Sequence, residues 1–306
     1  MRGLRDSCSR KIRRGDYVDV FVLTKDAKKD FKAATAKKGI GAEAFRTFDN
    51  WLAGFWVFAA CYLEDRPDEH MNVIRYLHLV HDMQRTLAGD EWRRIKGETL
   101  FDISIGSIVH QLFDITDYFK EIVILKLRES CIMELPKWVN TRTGAFSWTH
   151  ACKALTELGG ISDPEEVQEE KLKETIKRIV KIDFSKENLT DPEVLPPADC
   201  ILTVWVLDVI SHDKQDYISN LRKMSKLLKH GGHLIIIGSI NITYFTAGNE
   251  RLYALNYDEC FVKKTLTDEG YEIESCELLD RKVESDLVDY KKFMVLTAVK
   301  GNIKVV

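Results

Sequence analysis

At 306 residues, 45% apolar and 30% charged, the chain has the material for one large α/β domain with an N-terminal extra portion, or for two small domains. A formal charge of −3 gives no reason to expect a nucleic-acid partner. The longest apolar run, Trp51 to Leu63, falls well short of the ~20 residues of a membrane span, so it reads as a buried helix and no membrane partner is expected.

Residues 1–40 open with Arg2, Arg5, Arg10, Lys11, Arg13 and Arg14 against a lone Asp6 in the first fourteen positions. Without apolar residues to make an amphipathic face, this start reads as a solvated basic arm rather than a presequence. From 41 to 95 the apolar spacing is helical (Phe45, Phe48, Trp51, Leu52, then Val73, Tyr76, Leu77, Val80), with a break at Asp65-Arg66-Pro67-Asp68. A helical cap of two helices is predicted there. His78 and His81 share a helical face, but two histidines by themselves do not make a metal site and none is expected.

At Gly97 the character changes to alternating strand and helix. Gly97 to Ser104 reads as a strand, Ser104-Ile105-Gly106-Ser107 as a tight turn, and Val109, Leu112, Phe113 and Ile115 as one face of a helix. A strand, a turn and a helix make the ligand crevice of doubly wound α/β folds. The turn has one glycine, Gly106, and a positive φ at Ser104 or Ile105 would cost roughly 1–3 kcal/mol. Next come strand 121–126, helix 129–139, an irregular stretch to Asp163, and a charged helix from Pro164 to Val180 leading into Lys181-Ile182-Asp183-Phe184. A buried strand ends at Val204, and helix 216–229 is expected to stop at His230-Gly231-Gly232. Strand 233–237, helix 258–268 and two adjacent strands, 272–279 and 293–300, complete the chain. Two final strands with no helix between them imply an antiparallel hairpin. His212-Asp213 looks like a catalytic pair but has no nucleophile.

The seven cysteines are scattered, odd in number and without a C-x-x-C pair. They read as reduced thiols in a cytoplasmic protein rather than a disulfide framework.

An ordered set of short tags runs from residue 120 to 232: Lys120-Glu121-Ile122-Val123, Glu134-Leu135-Pro136-Lys137-Trp138, Gly144-Ala145-Phe146-Ser147-Trp148, Leu195-Pro196-Pro197-Ala198-Asp199-Cys200 and Leu227-Leu228-Lys229-His230-Gly231-Gly232. The series resembles the small-molecule N-methyltransferase family that contains the nicotinamide, indolethylamine and phenylethanolamine N-methyltransferases. The resemblance implies a class I methyltransferase fold: α/β, a Rossmann-like, mostly parallel seven-strand sheet with an antiparallel terminal hairpin, spanning 96–306. It also implies S-adenosylmethionine as cofactor and a small amine or pyridine acceptor; the chain itself is expected to be a monomer.

The same resemblance assigns site residues and exposes departures. Cofactor positions are Tyr17, Ser104, Gly106, Lys126, Cys131, Asp183, Phe184 and Thr203; Asp208, Tyr244 and Ala254 match substrate positions, and Asp208 is the candidate catalytic carboxylate. Ser104 stands where the family has glycine, and Gly238 where it has an acid. Lys126 replaces the acid that accepts from the ribose hydroxyls; an ammonium only donates, and a solvated strand-end lysine is the simpler reading of it. Asp208 could equally be an N-cap. Two functions follow: an S-adenosylmethionine-dependent N-methyltransferase with a weakened cofactor site, or a catalytically inactive relative that serves as a binding protein.

Overall fold

The computed structural model describes residues 94–113, 115–141, 148, 165–247, 250–281 and 288–301. The chain divides into two units after Leu79, and every described residue belongs to the second. The basic arm with Tyr17, the Trp51 run and the His78/His81 pair lie outside the described residues.

Seven strands form one sheet in the order β3-β2-β1-β4-β5-β9-β8. They are β1 (Gly97–Ser104), β2 (Phe119–Lys126), β3 (Ile176–Lys181), β4 (Ala198–Val204), β5 (Leu228–Ile240), β8 (Tyr271–Asp280) and β9 (Lys292–Lys300). The first five are mutually parallel, and β9 lies antiparallel between β5 and β8. The chain begins at the centre, steps outward through β2 and β3, then returns to the other side of β1 as β4. That reversal between β1 and β4 is a topological switch point, where open α/β sheets bind ligands beyond their carboxyl ends. The class I methyltransferase arrangement, terminal hairpin included, is therefore present.

Alternation along each strand divides the side chains between two faces. Phe101 and Ile103 of β1 join Val123, Leu125, Ile201, Ile236, Met294 and Leu296 in one core. The same core includes Tyr217, Leu221 and Met224 of helix α4 (Lys214–Ser225) and Val262 and Leu266 of α5 (Glu259–Asp268). Each buried side chain of this size contributes roughly 1.5–3 kcal/mol. The even-numbered set, Leu100, Asp102, Ser104, Ile122, Ile124 and Lys126, is equally buried on the opposite face. Helices α1 (Glu129–Val139) and α2 (Glu165–Thr175) meet where the Trp138 indole donates to Glu169 at 3.1 Å.

Four sequence expectations are corrected. Residues after the turn form two short 3-10 segments, His110–Leu112 and Thr116–Tyr118, instead of a helix. Thr116 bonds back to the Leu112 carbonyl, a local bond that competes with helix continuation. The charged helix stops at Thr175, because Ile176 to Lys181 pairs with β2 as an edge strand. Helix α4 ends at Ser225, and the His230-Gly231-Gly232 run lies inside β5. From Ala198/Leu228 to Cys200/His233, β4 advances two residues and β5 five; the glycines shape this bulge rather than a helix stop, with Gly231 at φ +74°. Finally, Tyr244–Ala247 (β6) and Glu250–Tyr253 (β7) form a hairpin the sequence did not suggest. A fifth helix, α3 (Val206–Ile210), follows β4. No helix among the described residues is long and apolar enough to cross a membrane.

Candidate cofactor crevice

At the switch point β1 gives way to the turn. The Ile105 N–H donates to the Val204 carbonyl at 3.2 Å, so the β1–β4 ladder runs one residue past the strand. Neither Ser104 nor Ile105 takes a positive φ; Gly106 does, at +61°, and a Cβ there would meet nothing within 4 Å among the described residues. The strain expected of a serine and an isoleucine in this turn is thus avoided, because the one left-handed position falls on the one glycine.

Lys126 is not a solvated lysine. Its side chain is 1% exposed and its ammonium pairs with Asp102 Oδ2 at 3.2 Å, donates to the Ser104 carbonyl at 3.1 Å, and bonds the Ser104 hydroxyl. That hydroxyl in turn donates to Asp102 Oδ2 at 2.7 Å, and Gln111 Nε2 donates to Asp102 Oδ1 at 2.9 Å. The register puts Ile103 opposite Leu125, so Ser104 and Lys126 follow side by side and the ammonium turns inward. All three lysine protons are used. One valence in the cluster stays open: Gln111 Oε1 is buried with no partner among the described residues.

At the end of β3, Asp183 accepts from the Ser185 N–H and hydroxyl at 2.8 and 2.7 Å, which hold its carboxyl below the usual range. The Phe184 ring packs on the core, and its carbonyl accepts from Lys223 at 2.6 Å. Cys131 lies on the buried side of α1. Thr203 is buried near the end of β4, its hydroxyl without a partner among the described residues. Trp205 turns the chain there at φ +56°.

Asp208 sits in the first turn of α3 and is 2% exposed. Its Oδ1 accepts from the Tyr257 hydroxyl at 2.6 Å and its Oδ2 from the Ser239 N–H at 2.8 Å. Burial pushes its carboxyl up to about 6 against the pull of these donors. It is not an N-cap. Gly238 lies against this pair: a Cβ there would stand 2.5 Å from the Tyr257 hydroxyl. With the Tyr257 hydroxyl in place, a side chain at 238 has no room.

Tyr244 opens the β6–β7 hairpin, with the Arg251 guanidinium 3.6 Å from its ring centroid. Asp289 pins this corner, accepting from the Thr243 and Tyr244 N–H groups at 2.7 and 3.1 Å. Ala254 is fully buried and bonded through its N–H to the Thr243 carbonyl. His212 is exposed beside Asp216, and Asp213 caps α4 through the Asp216 N–H; the apparent pair is a helix start.

The structure thus brings Ser104 and Lys126 together, and keeps Asp183 with Phe184, but places Asp208 in a separate buried cluster. Sequence reasoning missed Asp102, Gln111, Tyr257 and Asp289. For Asp102 a signal existed, since a charged residue inside an apolar strand requires a buried partner; the other three carry none.

Residues 52–301 match the model of the NNMT/PNMT/TEMT family. The nicotinamide N-methyltransferase of Homo sapiens is 31% identical over 208 residues, covering 67% of this chain and 78% of the relative. The indolethylamine N-methyltransferase of Oryctolagus cuniculus is 33% identical over 180 residues, 59% and 68% of the two chains. The phenylethanolamine N-methyltransferase of Mus musculus is 32% identical over 185 residues, 58% and 61%.

Proposed function

This chain belongs to the NNMT/PNMT/TEMT family, and on that footing we propose an S-adenosylmethionine-dependent N-methyltransferase whose acceptor is a small amine or pyridine. The strongest support is the Gly106 turn at the β1/β4 switch point, whose α-carbon has no described side chain packed over it. The comparisons lend no support to an inactive binding protein.

The crevice suits such a cofactor at several points. The turn would allow close backbone approach, and Thr203 Oγ1 and Gln111 Oε1 are buried polar atoms with no partner among the described residues. Asp183 and Phe184 would hold the adenine, by a carboxylate oxygen and a ring face. The ribose corner differs from the expected one in charge, since Lys126 is already spent on Asp102 and Ser104.

When bound, S-adenosylmethionine would supply an electrophilic methyl carbon for the acceptor's nitrogen lone pair, with the neutral thioether S-adenosylhomocysteine as leaving group. The chain's contribution is alignment, worth several orders of magnitude when reacting atoms are held in line. Tyr244, stiffened by Arg251 and Asp289, would form a wall of the acceptor pocket near Ala254. Asp208 is assigned a positioning role: through Ser239 and Tyr257 it fixes the ends of β4 and β5 against each other.

Transfer of labelled methyl to nicotinamide, indolethylamine and phenylethanolamine tests the reading. Turnover of at least one acceptor is expected. Absence of turnover, together with no binding of cofactor or product at millimolar concentration, refutes it.

A further inference from the structure

Two carboxylates serve the corner formed by the ends of β4 and β5 and the β6–β7 hairpin, and each has both oxygens bonded to the protein. Asp208 accepts from Tyr257 and Ser239, and Asp289 from the Thr243 N–H and hydroxyl and the Tyr244 N–H. Two donors at the same corner have no acceptor among the described residues. The Trp205 indole N–H is buried and unbonded, on a residue 7% exposed and held at φ +56°. The exposed Arg251 guanidinium stands 3.6 Å from the Tyr244 ring centroid and makes no ion pair among the described residues. A run of contacts links the two: Trp205 packs on Phe293 with centroids 5.7 Å apart, and Phe293 stacks on Tyr290 at 4.2 Å. Tyr290 follows Asp289, which holds Tyr244.

Native proteins rarely leave a buried N–H unbonded, and backbone strain in a bulky residue gathers where ligands bind. A guanidinium fits the two oxygens of a carboxylate, whereas an ammonium would meet two carboxylates already bonded. We propose that Arg251 and Trp205 are specificity-determining residues, which select a pyridine acceptor bearing a carboxylate. Arg251 pairs with the carboxylate, and the indole N–H donates to an oxygen of the acceptor. The proposal rests on the methyltransferase reading above and names its acceptor class. The ring nitrogen's lone pair forms the new N–C bond, the C–S bonding pair leaves with the sulfur, and the product is a zwitterion.

Calorimetric titration of the full chain, saturated with S-adenosylhomocysteine, tests it with pyridine-3-carboxylate and nicotinamide, which differ in one group and one charge. The wild type is expected to bind the carboxylate roughly tenfold or more tightly, and rates of labelled methyl transfer should follow the same order. Arg251→Met should bring the ratio toward unity. Trp205→Phe keeps an aromatic ring and should weaken both ligands several-fold, since each offers an oxygen to the indole. Thermal melts verify folding of the variants. Equal binding, or preference for the amide, in the wild type overturns the proposal whether or not the variants fold, as does a folded Arg251→Met with an unchanged ratio. A folded Trp205→Phe with wild-type affinities overturns the role of Trp205. Binding of S-adenosylhomocysteine with neither pyridine bound overturns this inference alone, and no binding of S-adenosylmethionine or S-adenosylhomocysteine overturns the methyltransferase reading beneath it.

Discussion

The Tyr257 hydroxyl donates to Asp208 Oδ1 at 2.6 Å, filling the space that a side chain on residue 238 would need. One tyrosine thereby both crowds residue 238 and donates to a buried carboxylate. The contact ties the segment before α5 to the first turn of α3, and the Ser239 N–H ties the same carboxylate to β5.

This carboxylate makes stability depend on pH. Its folded-state value of about 6 lies above the ordinary 3.8, so the folded chain binds the proton more tightly than the unfolded one. The group's contribution is greatest below about pH 4 and is lost as the pH rises through 6, a decline on the order of 3 kcal/mol. Asp208→Asn keeps both bonds, its amide donating to Tyr257 and its carbonyl accepting from Ser239, and should flatten the profile. Urea midpoints at half-unit intervals from pH 4 to 7 measure the difference. Parallel profiles for the two proteins would exclude Asp208 as the titrating group.

Gly238→Ala should destabilise by about 1–3 kcal/mol, since the new methyl meets the Tyr257 hydroxyl. Tyr257→Phe removes that oxygen but leaves Asp208 short of a donor, at a similar cost. The double variant should be more stable than the sum predicts by roughly 1 kcal/mol or more. Strict additivity in denaturant titrations would show that the two positions do not touch.

Lys126→Ala leaves Asp102 buried with an uncompensated charge and should cost about 3–5 kcal/mol. Asp102→Asn/Lys126→Met removes both charges while roughly keeping the volume, and should lie within about 1.5 kcal/mol of wild type. Equilibrium unfolding of both separates an internal pair from a solvated lysine, which would show almost no loss in either.

Asp289→Ala frees the backbone of Thr243 and Tyr244. Burial by itself would raise this carboxyl, and the donors from those two residues outweigh burial and hold it below its usual range, so the contact is a charge-assisted one. If Tyr244 lines the acceptor pocket, KM for the acceptor should rise roughly tenfold with kcat nearly unchanged. Steady-state kinetics across acceptor concentrations reads this, and a fall in kcat at constant KM would count against it.

Much of the sheet was legible in the chain itself. Strands β1, β2 and β4 are apolar runs of strand length, and no helical apolar spacing separates 272–279 from 293–300 in the sequence, so the antiparallel pairing of β8 and β9 followed from local pattern. Where the reading failed, pattern was outvoted by partners: Ile176 to Lys181 continues a helical charge pattern, yet the open edge of β2 claims it as strand. The glycines at 231 and 232 resemble a helix stop, but a bulge in β5 uses them.

Residue types and their order determined the family, the parallel sheet and the position of the crevice, because periodicity and short tags are properties of neighbours along the chain. What became of Lys126, Asp208 and Gly238 was decided only by the tertiary structure. Lys126 is the clearest case: whether a strand-end ammonium meets water or a carboxylate depends on which strand lies beside it. Asp102, 24 residues away in the chain, becomes its partner only when β1 and β2 pair in register.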